Sequence, residues 1–450
     1  MRADLSLQQA PPFSVPARFL VSAPFFGLLA ALVLLWYGPG IISHRWTPEL
    51  LAVTHFLTIG FLAISMLGAM LQLMPVLMGM VIPRAVIFSG LVHTPLFLGT
   101  LCLGLAWLLQ LSQLFTTAML LLGFSFAAFI IVATERLLRS ANRHVTRSMM
   151  LLALLSLFIT VSLGIYLAMG HSWQTLSLAR HLTDLHLSWG LLGWVLLLIM
   201  AVAYQVIPMF QITDEYPAMH QRWMVWLVFI ALLGLSLKYL NPLVGSLVGP
   251  LAELMESVYI FSAALLSGCM IIFALTTLRL LHKRRRQLAD TTMKFWQLAM
   301  ISLLLLTSAW IIPTLLHFDL PVILLGVLMI HGLAMTTING MMYKIIPFII
   351  WLHLSVHNKN LRDRGERRSQ VKVPHMRKII PEAAGLWQFR FHLLSLLLLL
   401  FATIWPLWFF YPAALILALS QAFLLFNLFK AVTFYNKKLV ELAAATQPDM

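Results

Sequence analysis

A short signature occurs three times in this chain, each time near the end of a long apolar segment. A glutamine or a lysine is followed three residues later by a proline. The three pairs are Gln72 and Pro75, Gln205 and Pro208, and Lys344 and Pro347. A histidine lies upstream in each of these segments, at His55, His186 and His331. A repeat with several apolar segments between its copies predicts an architecture of three equivalent units.

The composition restricts the chain to the membrane proteins. Hydrophobic residues make up 61% of it, charged residues make up 10%, and the mean hydropathy is +0.92. A water-soluble domain cannot bury so much apolar surface, whereas a bilayer can surround it. Cys102 and Cys269 both lie in apolar runs, so we expect no disulfide framework. The first apolar run is long enough to span and has no convincing cleavage site, so we expect no cleavable signal peptide.

Runs of about 20 apolar residues predict twelve transmembrane helices in a single all-α domain over residues 1–450. The predicted spans are 18–42, 50–79, 86–110, 113–134, 148–169, 185–210, 222–240, 250–279, 294–316, 321–350, 389–410 and 412–434. The signature falls on the second, sixth and tenth of these helices, so the repeating unit is four helices long. Only the basic loop 351–388 is long and polar enough to form structure outside the bilayer.

The distribution of basic residues predicts the orientation of these helices. With the N-terminus inside, the cytoplasmic loops are 80–85, 135–147, 211–221, 280–293 and 351–388. They contain Arg136, Arg139, Arg143 and Arg147, then Lys283, Arg284, Arg285 and Arg286, and then the basic residues from Lys359 to Lys378. The opposite loops hold little more than Arg45, Arg180 and Lys238. We therefore predict a protein of the inner (plasma) membrane with both termini in the cytoplasm.

The same loops explain the net charge of +15, which in a soluble protein would point to nucleic acid. Basic loops that flank a membrane are solvated and lie beside anionic lipid headgroups. The lipid bilayer is therefore the predicted partner, and no nucleic acid is expected.

The polar residue and proline of the signature have a structural interpretation. Proline removes a backbone donor and disfavours helix in the preceding residue, so each proline is expected to end or kink its helix. Gln72, Gln205 and Lys344 would then hydrogen-bond the freed carbonyls, or Lys344 would extend to the interface. A contact to a proton or a quinone is the alternative. Since His55 precedes Gln72 by 17 residues, or roughly 26 Å of helix, the histidines belong to a different site.

The three histidines are the candidates for chemistry. One intramembrane histidine alone is explained by a neutral imidazole that hydrogen-bonds a neighbouring helix. Counted back from the glutamine or lysine at about 100° per residue, His55 falls near ~260°, His331 near ~220° and His186 near ~100°. This predicts His55 and His331 as a facing pair of axial ligands to the iron of one b-type haem, with His186 as a third, outlying candidate.

Nearby residues leave several interpretations open. Glycines that allow a porphyrin or a neighbouring helix to approach closely are Gly60, Gly68, Gly190, Gly193, Gly332 and Gly340. A polar cluster at the start of the sixth helix contains His171, Trp173, Arg180, His181, Asp184, His186 and Trp189. In it, His181 and Asp184 would form an ion pair or an oriented metal ligand, and Arg180 or Arg45 would pair with a haem propionate. A wet loop with interfacial tryptophans is the simpler alternative.

The chain resembles subunit I of the haem–copper oxidases and nitric oxide reductases, with twelve helices in three arcs and histidines on the second, sixth and tenth. More narrowly, it is similar to the NnrS-like membrane proteins and to the oxidase-subunit-I-like proteins beside them. Two motifs carry this resemblance, namely ARFLVSAPFFG at residues 17–27 and His55-x4-Gly60-x7-Gly68-Ala-x2-Gln72-x2-Pro75.

Only some of the functional residues of the oxidase family have a counterpart in this sequence. The resemblance implies that His55 is the second-helix ligand of a low-spin haem, while the tenth helix keeps only His331 of two expected histidines. His186 would match the copper ligand of the sixth helix, but the tyrosine expected one turn later is Gly190. The seventh helix, Arg222 to Leu240, has no histidine, so we expect neither copper nor a dioxygen-reducing centre.

What the resemblance implies is haem-based electron transfer, or handling of a diatomic such as nitric oxide, beside other respiratory or denitrification membrane proteins. If the chain is an enzyme, the resemblance implies an oxidoreductase. A secondary transporter is the main alternative, since twelve spans and internal repeats are common there. A non-catalytic scaffold or assembly protein of a respiratory complex, in which the histidines only pack, is the third.

Overall fold

The computed structural model describes residues 9–140, 145–172, 180–244, 249–286, 288, 290–363 and 372–445, and all regular structure in them is helical. Twelve helices are long and apolar enough to cross a membrane, so the chain is a multi-pass membrane protein. They are α1 (Ser14–Tyr37), α2 (Pro48–Val76), α3 (Ala85–Leu109), α4 (Ser112–Arg139), α5 (Val145–Ser172), α6 (Thr183–Gln211), α7 (Ala218–Tyr239), α8 (Glu253–His282), α9 (Thr291–Leu316), α10 (Val322–Asp363), α11 (Glu382–Ala402) and α12 (Pro406–Leu442).

The predicted spans match these helices in number and order, but two helices are longer than predicted. α10 continues to Asp363, because polar residues extend a helix whose apolar stretch has already ended. α12 begins at Pro406, inside the predicted span 389–410, because the break between the last two helices falls at residues 403–405 in one continuous apolar run. The predicted loop 351–388 is therefore partly helical, and it also contains the short helix Met376–Ile379. Residues 364–371 of that loop, and Arg143 in the predicted loop 135–147, lie outside the described residues.

The signature prolines only partly behave as predicted. Pro75 and Pro208 each lie three residues before a helix end, at Met78 and Gln211. Pro347, by contrast, lies inside α10 and does not end it, so for this proline the other predicted outcome, a kink, stays a prediction. A proline in a helix interior costs one backbone hydrogen bond, which the flanking turns of a long, packed helix can tolerate.

The three helices that carry the signature form the interior of the bundle. In their most apolar stretches, 67% of residues are buried in α2, 78% in α6 and 67% in α10, against 28–56% in the other nine. The outer helices instead expose apolar side chains, as α4 does at Leu120, Phe124 and Ile131. Such an apolar outer surface requires lipid around it. α1 packs against both α2 and α12, so the two ends of the chain meet.

The repeat is visible in the backbone as three π-helical segments. They are Phe56–Ala63 in α2, Ser188–Leu196 in α6 and Val327–Met335 in α10. Each ends nine residues before the signature glutamine or lysine, and the segment of α10 contacts those of α2 and α6. π-Helical turns are rare and concentrate at functional sites. Three of them in one register show that the repeat extends from the sequence to the local geometry.

One glycine sits at the same place in each π-helical segment, twelve residues before the signature residue. A Cβ atom there would lie 2.3 Å from Phe26 of α1 at Gly60, 2.8 Å from Ser156 of α5 at Gly193, and 2.9 Å from Ser302 of α9 at Gly332. Each contact is made by the helix that precedes the signature helix. These glycines thus serve helix packing, the second of the two interpretations given above.

A small apolar cavity of about 60 Å³ lies where the three interior helices meet. Three sets of equivalent residues line it, together with side chains of α1 and α9. The sets are Ser65, Leu198 and Thr337; Met66, Ile199 and Ile338; and Ala69, Val202 and Met341. Their common spacing from the signature shows that α2, α6 and α10 contribute to the centre of the bundle in the same register.

We predict that Gly332→Ala destabilises the protein by about 1–3 kcal/mol, because the added methyl group overlaps Ser302 in a packed interface. The free energy of unfolding is measured by denaturant titration in mixed micelles. Gly326→Ala in the same helix is the matched control, since a Cβ atom there meets nothing within 4 Å. Equal stability of the two variants would contradict the packing role.

Candidate functional site

His55 is the last residue of the α-helical start of α2, directly before its π-helical segment. Its Nδ1–H donates a hydrogen bond of 2.7 Å to the carbonyl oxygen of Leu51, one turn earlier. The ring lies parallel to that of Trp107 in α3, with 6.4 Å between centroids. Trp107 in turn contacts His171 of α5 edge-on, at 4.5 Å. An aromatic wall thus fixes the orientation of His55.

His186 occupies the corresponding place in α6, two residues before its π-helical segment. Its Nδ1–H donates to the carbonyl oxygen of Thr160 in α5, at 2.9 Å. The ring packs on Gly164, where a Cβ atom would lie only 3.0 Å from Cε1 of the imidazole. The missing side chain at position 164 therefore makes room for this ring.

His55 and His186 come within electrostatic reach of each other. Because both Nδ1 atoms donate to carbonyls, the neutral imidazoles carry their lone pairs on Nε2. Neither Nε2 has a hydrogen-bond partner among the described residues, and both rings keep some accessible surface although they lie inside the bundle. The buried Nε1–H of Trp107, beside His55, also has no acceptor. Unpaired polar atoms inside a bundle are what a site for an absent group requires.

His331 is in a different environment, inside the π-helical segment of α10 and 3% exposed. Its ring stacks on that of His392 in α11, with 4.2 Å between centroids. Ser395 donates its only hydroxyl hydrogen to the carbonyl of His392, so it accepts its 2.8 Å bond from Nε2–H of His331. The Nε2 atom of His331 is therefore protonated and occupied.

The structure places His331 against His392 of α11, and Ser395 engages its Nε2. Of the other two predicted histidines, His186 is the one that interacts electrostatically with His55. The pairing of His55 with His331 stays a prediction, and His186 becomes a second candidate partner for His55. The angles behind that prediction assumed 100° per residue, whereas all three helices contain π-helical segments, which wind more slowly. His55 and His186 both precede such a segment, whereas His331 lies within one.

His392 was missed by the sequence analysis. Its Nε2–H donates to Thr336, and Asn339 donates to its Nδ1, at 2.7 and 3.1 Å. The hydroxyl of Thr336 is itself bonded to the carbonyl of His331. A histidine in the apolar segment 389–410 was the available signal, since ionisable residues inside membranes are rare. Within this cluster the carbonyl oxygen of the Asn339 side chain is buried without a partner among the described residues.

The outer cluster at the start of α6 is organised by an ion pair that the sequence analysis did not predict. Asp184 accepts a 2.5 Å bond from Arg45, while His181 is exposed. Trp173 and the side chain of Arg180 lie outside the described residues. Within the described part of the chain, no three histidine, cysteine or acidic side chains are grouped closely enough to hold a metal ion. The predicted ion pair of His181 with Asp184 is not formed, because Asp184 binds Arg45, and the metal-ligand alternative stays a prediction.

The signature residues lie at the opposite end of the same helices, and Lys344 there forms a buried ion pair. Its ammonium lies 2.9 Å from Asp290, which caps the N-terminus of α9 and also accepts from Gln211 at the end of α6. Burial alone would raise the pKa of the Asp290 carboxyl. The neighbouring Lys344 charge and the hydrogen bonds outweigh this and hold that pKa below its usual value. The prediction that Lys344 bonds a freed carbonyl or extends to the interface is wrong, because Asp290 satisfies it internally.

The other two signature residues are neutral. Gln205 donates to Thr146 at the start of α5, just as Lys344 reaches the start of α9. Gln72 is buried and its amide has no partner among the described residues, so no freed carbonyl accepts from it. Gln205 and Lys344 therefore share one feature. Each binds a residue at the start of the helix that directly precedes its own.

In its described residues the chain is thus an all-helical, multi-pass membrane protein, with several histidines inside one half of the bundle and a buried ion pair in the other. No model of a known protein family matches the chain, and no curated protein sequence matches it significantly.

We predict that Asp290→Asn lowers the free energy of unfolding by about 3–5 kcal/mol, because it leaves the Lys344 charge buried without a counter-ion. Adding Lys344→Gln should restore much of the loss, since glutamine stands at both equivalent positions. Denaturant titration in mixed micelles measures both effects. Asp214→Asn, which removes an exposed partner of Arg285, is the control and should have little effect. A double variant no more stable than Asp290→Asn would refute the ion-pair explanation.

Proposed function

We propose that this protein binds a b-type haem between α2 and α6, with His55 and His186 as axial ligands. The main support for this proposal is the hydrogen bonding of the two histidines. Each donates Nδ1–H to a backbone carbonyl, at 2.7 and 2.9 Å, and keeps Nε2 free. A hydrogen bond at one imidazole nitrogen fixes the ring and directs the other nitrogen to a metal. The donor set is that of a bis-histidine haem, which needs two neutral imidazoles from neighbouring helices.

The surrounding residues fit the same proposal. Trp107 and His171 form a rigid aromatic wall beside His55, and Gly164 admits the ring of His186. Arg45, held by Asp184 near the same ends of α2 and α6, supplies a positive charge for a propionate. The apolar helices exclude water and favour the neutral imidazoles. When bound, the group would supply reversible one-electron chemistry.

The proposed task is electron transfer, or handling of a diatomic such as nitric oxide, as the resemblance to subunit I and the NnrS-like proteins implies. We further propose that the twelve helices are arranged in three arcs like those of subunit I. The common register of the π-helical segments and of the glycines within them supports this arrangement. His331, which the resemblance would make a haem ligand, is replaced in that role by His186.

The haem proposal predicts a Soret band and a pyridine-haemochrome signal in protein purified in detergent from haem-replete cells. His55→Ala and His186→Ala should each reduce the haem content about tenfold or more, because a single axial ligand remains. His331→Gln should retain the haem, since Nε2 of His331 is engaged by Ser395.

The three variants separate the two pairings. Loss of haem in His331→Gln, with retention in His186→Ala, would restore the pairing of His55 with His331. A colourless, monodisperse wild-type preparation would exclude haem binding. The two alternative functions, a secondary transporter or a non-catalytic scaffold, would then remain.

We propose that the termini face the cytoplasm and that the protein lies in the inner membrane. The support is the concentration of basic residues at the signature ends of the interior helices, where Arg136, Arg139 and Arg285 lie.

This orientation predicts which loops a membrane-impermeant maleimide reaches in spheroplasts. In a background without Cys102 and Cys269, Asp319→Cys should be labelled directly, because it lies between α9 and α10. Glu215→Cys, an equally exposed position between α6 and α7, should be labelled only after permeabilisation. The reverse pattern would show that the termini lie outside.

A further inference from the structure

A polar pocket of about 40 Å³ lies at the signature end of the bundle, away from the histidines. It is formed where α9 and α11 begin beside α10, and the short helix Met376–Ile379 closes it. The polar side chains that line it include Asp290, Thr291, Tyr343, Lys344, Arg377 and Glu382. We call it the Arg377 pocket.

Both carboxylates of the Arg377 pocket are already engaged. Asp290 is bonded to Lys344 and Gln211 and has Arg286 at 3.6 Å. Glu382 accepts hydrogen bonds at one oxygen, Oε1, from the backbone N–H and the hydroxyl of Thr291. Neither carboxylate forms an ion pair with Arg377.

Arg377 is therefore the surplus charge of the pocket. Three cations, Arg286, Lys344 and Arg377, stand against two carboxylates, which leaves one positive charge. Nη2 of Arg377 is buried and has no acceptor among the described residues. A buried, charged N–H without an acceptor is costly, so such a group indicates a missing oxygen ligand.

The other polar groups of the pocket are also donors. Lys344 uses one of its three N–H groups for Asp290. Tyr343 accepts from Asn427 at 2.9 Å, which leaves its own hydroxyl hydrogen free. Among the described carboxylates of the pocket, the second oxygen of Glu382, at the exposed start of α11, has no hydrogen bond. A small space with guanidinium, ammonium and phenol donors has the chemistry of a site for one oxyanion.

We propose that the Arg377 pocket binds a single phosphate group. The pocket is small, and its donors converge from Tyr343, Lys344 and Arg377. It lies at the ends of membrane-spanning helices, where headgroups are found, so the phosphate comes either from an anionic lipid or from solution. Binding supplies the acceptor that Arg377 lacks and ties α10 to the start of α11.

The experiment measures binding of radiolabelled inorganic phosphate to the delipidated protein in neutral detergent, at constant ionic strength. A parallel arm measures, by native mass spectrometry, retention of phosphatidylglycerol against phosphatidylcholine. Wild type should bind one phosphate, or one phosphatidylglycerol in preference to phosphatidylcholine, per chain. Arg377→Gln should weaken that binding by about tenfold or more. Lys378→Gln, which removes the adjacent exposed charge, should leave it unchanged.

The two arms identify the source of the phosphate. Binding in the first arm indicates a soluble ion, and binding in the second arm alone indicates a lipid headgroup. Equal binding by Arg377→Gln and Lys378→Gln would overturn the proposal, as would the absence of saturable binding by wild type in both arms. If Arg377→Gln does not fold, Arg377→Lys takes its place and should bind more weakly than wild type. None of these outcomes depends on haem.

Discussion

Close contact at three glycines sets the geometry on which the rest of the structure depends. Gly60, Gly193 and Gly332 let α1, α5 and α9 press side chains against the π-helical segments of the interior helices. A Cβ atom at any of them would force two helices apart, and in a membrane such packing is a main source of helix association. The contact occurs at the same distance from the signature residue in all three interior helices. It therefore fixes the position of each interior helix along the bundle, and with it the depth of the histidines at one end and of the signature residues at the other.

The register explains why equivalent helices hold histidines of different chemistry. His55 and His186 lie before their π-helical segments and reach a backbone carbonyl with Nδ1, which leaves Nε2 with a free lone pair. His331 lies within its segment and donates Nε2–H to a serine whose own hydrogen is already committed. The identity of the bonded nitrogen, and not burial, separates a candidate ligand from a packed histidine.

The sequence predicted what depends on summed hydrophobicity, namely the membrane class and the number of helices, and the spacing of the signature predicted the four-helix repeat. It did not predict the direction of the histidines, because no propensity marks a π-helical turn and an error of one residue rotates a side chain by about 100°. Asp290 was missed for another reason: in the sequence it stands in a basic loop, and only folding places it beside Lys344. His392, an ionisable residue within an apolar segment, could have been recognised by its cost in a bilayer.

The signature position is neutral in two of the three units and charged in the third. Gln72 and Gln205 show that a neutral amide fits the signature position, yet the third copy has a lysine that must be neutralised by Asp290. A buried ion pair gains little stability over a neutral pair of similar size. The ion pair instead links three helices. Asp290 accepts hydrogen bonds from Gln211 of α6 and from Lys344 of α10, and it caps the N-terminus of α9. The pair therefore joins the second unit to the third, and it concentrates charge where the bundle faces the headgroups, far from the neutral imidazoles that a haem would need.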